Sequence, residues 1–166
     1  PLALIDDVRT FEGLRAIVAQ LRSPEGGCPW DLEQTHETLK RYLLEESYEV
    51  LEAIDAYDAD TGAGAEELCA ELGDLLYQVV FHSSIGAEAG WFTLADVAVA
   101  IHDKLGRRHP HIFDDAADAP AVDQLVAAWE SDKRTELGRD SVMDGIPSAM
   151  PALARALKVV KKSDSL

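Results

Sequence analysis

The chain has 166 residues, 47% of them hydrophobic, which is enough for one domain with a sizeable core and too apolar for disorder. Its formal net charge of −16 argues against a broad grip on a nucleic-acid polymer or an anionic membrane, since both need a basic footprint. The apolar runs, such as residues 74–81, stop well short of the ~20 residues of a membrane span.

Periodic segments read at the helical repeat and period-two alternation is nearly absent, so the expected fold class is all-α. A first helix is predicted from about Asp7 to Leu21. A loop follows over Arg22–Asp31, where glycines and prolines interrupt any helix. Thr35 is the expected N-cap of a long helix to about Tyr57, with Leu39, Leu43, Glu46, Val50, Ala53 and Tyr57 in one stripe. Asp58–Gly64 reads as a turn-rich connector. The next long helix carries the stripe Leu68, Leu72, Leu75, Val79 and His82, and is expected to be deeply buried.

A further helix is predicted from Thr93, with Asp96 three residues on, to just before Pro110. Lys104 and Arg108 share its last face. Another helix runs from near Pro120 through Trp129 toward Gly138, and a last one over about Ser148–Lys161 carries Arg155, Lys158, Lys161 and Lys162. The expected division is a domain at 1–140 and a helical arm at 141–166, the arm serving for docking or fraying as a tail. Two cysteines, Cys28 and Cys69, make no metal spacing and no disulfide framework, and no signal-peptide pattern is read. A cytoplasmic setting is expected. Pro1 in place of methionine fits either a trimmed initiator or a piece of a longer chain.

The charge distribution is uneven. From Tyr42 to Asp103 there is no lysine or arginine, yet 14 of the 31 acidic residues lie there. Among them Glu46-x-x-Glu49 and Glu71-x-x-Asp74 repeat one spacing, and residues three apart on a helix are neighbours. If the two long helices fold back about a turn near Thr61, the pairs sit at nearly the same height, about 13 and 12 residues from it at ~1.5 Å per residue. Four converging carboxylates need compensation, and an all-oxygen donor set favours Mg²⁺ or Mn²⁺ over Zn²⁺. Lone Glu-x-x-Glu pairs are common on solvated faces, so the matched height carries the argument. Glu52, Asp55, Asp58, Glu66 and Glu67 need no explanation beyond solubility.

Glu45-Glu-Ser-Tyr-Glu49 followed by Glu71-Leu-Gly-Asp-Leu-Leu76 resembles the ExxE…ExxD signature of the MazG nucleoside triphosphate pyrophosphohydrolases. The likeness extends to Gly27-Cys-Pro-Trp-Asp31, Gln78-Val-Val-Phe81 and Asp103–Phe113, and so covers most of residues 10–135. It implies a four-helix-bundle-type fold that forms a homodimer or homotetramer. It also implies Mg²⁺-dependent hydrolysis of nucleoside triphosphates to monophosphate and pyrophosphate, as in housecleaning of non-standard nucleotides. The ligands carry over to Glu46, Glu49, Glu71 and Asp74. Lys104 and Arg108 match the triphosphate-holding residues, and Trp129 and Lys133 match an element that closes the nucleotide pocket. Glu45 or Glu49 is the expected proton acceptor for the attacking water. The alternatives are a phosphoribosyl-ATP pyrophosphohydrolase, disfavoured by the Cys-Pro-Trp-Asp and Arg-Arg-His-Pro-His elements, and a non-catalytic acidic binding module.

Overall fold

The computed structural model describes residues 9–113, 120–122, 124, 125, 128, 129, 132, 141 and 143–163. Among the described residues every regular element is a helix. In chain order they are α1 (Phe11–Leu21), α2 (Pro29–Glu33), α3 (His36–Ala56), α4 (Ala65–Glu88), α5 (Leu94–Arg108), α6 (Pro110–Phe113) and α7 (Ala152–Ser163). The all-α expectation holds. Two compact units divide the chain at Pro1–Ile101 and His102–Leu166, with the boundary inside α5.

Local chemistry fixes most helix ends. Thr10 has an extended backbone and its hydroxyl accepts from the Gly13 amide at 3.1 Å, so α1 starts at Phe11 rather than near Asp7. Thr35 caps α3 as expected, in a reciprocal box: its side chain accepts from the Thr38 amide, and the Thr38 hydroxyl accepts from the Thr35 amide at 2.9 Å. The expected loop over 22–31 needs a correction, because Pro29 takes the first position of the short helix α2, where its missing N–H costs nothing. Pro110 likewise opens α6 directly after α5. The last helix starts at Ala152, four residues later than expected, behind Pro151.

The connector behaves as the sequence suggests. Gly64 is the N-cap of α4 at φ 81°, a backbone that favours glycine, and the Asp58 carboxylate accepts from the Asp60 and Thr61 amides. α3 and α4 then pack along each other, and α1 packs on α4. Val18, Leu39, Val80 and Phe81 form the core where the three helices meet, each 2% exposed or less. Burying side chains of this kind stabilises by roughly 1.5–3 kcal/mol each. Gly86 lets the chain after α4 fold close, since a Cβ there would lie 2.6 Å from the Phe92 ring.

The expected deep burial of α4 is not what the single chain shows. Its buried residues are Gln78, Val80, Phe81, Ser83 and Gly86, whereas Leu72 and Val79 of the expected stripe are 48% and 39% exposed. The contacts with α1 and α3 cover one side of the helix, and its amino-terminal half is wetter than the pattern implied. No helix among the described residues is long and apolar enough to cross a membrane.

In the second unit, Val122, Gln124, Leu125, Ala128, Trp129 and Asp132 are helical, as the stretch from Pro120 predicts. Gly138, its expected end, lies outside the described residues.

Candidate active site

The hairpin of α3 and α4 brings the acidic pairs together. Glu46 and Glu49 stand three apart on α3, and Glu71 and Asp74 three apart on α4, so each pair occupies one helix face. Carboxylate oxygens of Glu46, Glu49 and Glu71 all lie within 4.8 Å of one another. Asp74 stands outside this trio but its charge reaches both Glu46 and Glu71. Glu45, on the same helix, is exposed and is not part of the trio.

The electrostatics of the cluster are those of crowded like charges. Desolvation by burial, then the charges of Asp74 and Glu49, hold the Glu46 carboxyl above its usual range. Glu71 is pushed the same way, first by desolvation and then by Glu49, Glu67 and Asp74. Three oxygen-donor groups that repel one another, in a stretch with no lysine or arginine, fit a hard divalent cation better than any protein counter-charge.

Two neighbouring networks escaped the sequence reading. Gln78, 3% exposed, donates from Nε2 to Glu46 Oε1 at 3.4 Å. One residue earlier on α4, the Tyr77 hydroxyl donates to Asp31 Oδ1 at 3.1 Å, and burial followed by the Asp31 charge pushes the phenol up to about 12. Asp31 is 5% exposed, and its carbonyl accepts from Arg22, whose guanidinium also grips Glu88 through two 2.6 Å bonds. The Cys-Pro-Trp-Asp segment is therefore tied to α4 beside the acids. The available signals for Gln78 were its place four residues after Asp74 on the same helix and its place in the Gln78-Val-Val-Phe81 motif.

The expected phosphate and base residues lie in the second unit. Lys104 is exposed and Arg108 half-buried, four residues apart at the end of α5. The Trp129 indole donates from Nε1 to the Arg108 carbonyl at 2.8 Å, satisfying a carbonyl at the helix end, and its ring centroid lies 5.3 Å from that of His109. Lys133 lies outside the described residues.

Residues 34–113 match the MazG nucleotide pyrophosphohydrolase domain. The nucleoside triphosphate pyrophosphohydrolase of Escherichia coli (strain K12) is 46% identical over 155 residues, 92% of this chain and 56% of that protein. The nucleoside triphosphate pyrophosphohydrolase/pyrophosphatase MazG of Thermotoga maritima is 43% identical over 158 residues, 94% of this chain and 57% of that protein. The nucleoside triphosphate pyrophosphohydrolase of Mycobacterium tuberculosis is 40% identical over 159 residues, 95% and 46% respectively. The chain spans about half the length of the curated relatives it matches.

Proposed function

The chain belongs to the MazG family, with the nucleotide pyrophosphohydrolase domain at residues 34–113, and from this premise we propose that it hydrolyses nucleoside triphosphates to monophosphate and pyrophosphate. The meeting of the Glu46, Glu49 and Glu71 carboxylates within 4.8 Å carries the reading, because crowded acids with no lysine or arginine in the same stretch favour a cation between them. Glu46, Glu49, Glu71 and Asp74 would hold Mg²⁺, or Mn²⁺ in its place. Bound there, the cation would supply neutralisation of the triphosphate charge.

The chain's own residues do the rest. Glu49 stands within the trio and is exposed, so it is better placed than Glu45 to accept the proton of the attacking water. Lys104 and Arg108 bind phosphate oxygens, Arg108 through its fork of donors. Trp129 offers a face to the base and Lys133 closes over the nucleotide. The proposed catalytic domain takes in residues 1–140, with 141–166 as a helical arm, a functional division separate from the two compact units. The substrates are ribo- and deoxyribonucleoside triphosphates, non-standard ones among them, acted on in the cytoplasm by a homodimer or homotetramer.

The test is to incubate the chain with a panel of nucleoside triphosphates with and without Mg²⁺. Monophosphate and pyrophosphate formed only with metal support the reading. No product from any nucleotide overturns it and favours an acidic binding module.

A further inference from the structure

Building on the function proposed above, we infer that Gln78 is a positioning residue for the cation site, its side-chain amide fixing the orientation of the Glu46 carboxylate. Gln78 follows Asp74 by four residues and Glu71 by seven, so all three share one face of α4. The amide crosses to α3, where Nε2 is 3.4 Å from Glu46 Oε1. An ionised carboxylate can only accept, which dictates that the nitrogen, and not the oxygen, faces Glu46.

The other end of the amide gives the second observation. Gln78 is 3% exposed, and its Oε1 is buried with no hydrogen-bond partner among the described residues. Buried polar atoms in folded chains almost always have partners, so an amide kept here at the expense of an orphaned oxygen needs a reason that packing does not supply. Ser83, equally buried on the same helix, shows the ordinary solution, its hydroxyl donating to the Val79 carbonyl at 2.8 Å.

An amide suits this position better than the other polar side chains. A lysine would neutralise Glu46 and compete with the cation, and a further carboxylate would add to the repulsion. A glutamine holds one oxygen of Glu46 without changing the charge of the cluster. Partners that orient a ligating carboxylate typically govern metal affinity by about 10–100-fold.

The experiment measures Mn²⁺ dissociation constants of the purified chain without nucleotide, by the electron paramagnetic resonance signal of free Mn²⁺, alongside thermal unfolding without metal. Gln78→Met keeps the length and helix propensity while removing both polar atoms; Gln78→Asn keeps an amide but withdraws it by one methylene, and carries the test if the Met variant does not fold. Both are expected to weaken Mn²⁺ binding about 10-fold, with Ser83→Ala at the wild-type value and Glu46→Gln weaker than either. Wild-type affinity in both Gln78 variants, with binding lost in Glu46→Gln, overturns the positioning role and leaves the acidic site standing. Wild-type affinity in Glu46→Gln overturns the site itself, and this inference with it.

Discussion

The Nδ1 atoms of His36 and His82 lie 2.8 Å apart across α3 and α4, with the two rings stacked at 5.1 Å between centroids. One Nδ1 must carry a proton and the other must accept it. His82 Nε2 is buried without a hydrogen-bond partner among the described residues, so the consistent arrangement has His82 donating from Nδ1 and its Nε2 bare. A second proton has no good place on His82, whose Nε2 is buried. Burial, and then His36, hold His82 below its usual 6.5.

A histidine lowered in the folded state contributes stability that is present above the unfolded value and lost as pH falls below it. His82 is therefore expected to contribute less stability at pH 5.5 than at pH 7.5, a dependence read by urea denaturation of wild type against a His82 variant. His82→Asn should flatten that dependence. An unchanged slope in the variant would contradict the pairing.

Arg22 and Glu88 give a second pH-dependent contact. The guanidinium side chain is 6% exposed and the carboxylate 45%, so the pair is worth more than a surface ion pair and less than a buried one, about 1 kcal/mol. The hydrogen bond from Arg22 holds the Glu88 carboxyl below its usual 4.5. The stability it contributes is present above that value and lost as pH falls through the lowered one. Glu88→Gln should destabilise the chain at pH 7, and the gap from wild type should shrink toward pH 3. A gap that does not change with pH would contradict the charge interaction.

Glu46 and Glu71 should trade stability for activity. Both carboxyls are held above the usual range, so their ionisation strains the folded state as pH rises through it. Glu46→Gln and Glu71→Gln are each expected to lower turnover at least ~100-fold, as expected where a metal's charge neutralisation supplies several kcal/mol. The same variants should unfold without metal no earlier than wild type. Near-normal turnover in both would sink the cation site.

Lys104→Ala should act on binding. Loss of one charge-assisted phosphate contact is worth roughly 1.5–3 kcal/mol, or about a 10–100-fold rise in KM with kcat little changed. Steady-state kinetics on one good substrate decides it, and an unaltered KM would remove Lys104 from the phosphate site.

What the sequence made legible was local chemistry with short reach. The Thr35 cap, the Asp58–Gly64 connector and the Thr93–Asp96 start of α5 each depend on residues two to four apart, and each is found. The acidic pairs were legible because equal helix lengths on either side of one turn fix their height, and three of the four acids do meet within 4.8 Å. The start of α1 was misplaced because periodicity continues past a cap, and only the Thr10 hydrogen bond shows where the helix begins.

The burial of α4 was overestimated, since an apolar stripe states what a helix could bury and not what one chain buries. Gln78 and Asp31 stood in motifs of the resemblance and His82 in the stripe of α4, but the contacts of Gln78 with Glu46, Tyr77 with Asp31 and His36 with His82 were not legible. Their partners lie 32 to 46 residues away, and neither a motif nor a place in a stripe says which distant side chain a polar group will meet.

Hydrolysis of a single nucleoside triphosphate in ¹⁸O-labelled water, with Mg²⁺ and phosphorus detection of the products, tests the central claim most directly. Attack at the α-phosphorus puts the label in the monophosphate and leaves pyrophosphate unlabelled, which is the result expected here. Label in the pyrophosphate, or a diphosphate with inorganic phosphate as products, would contradict it.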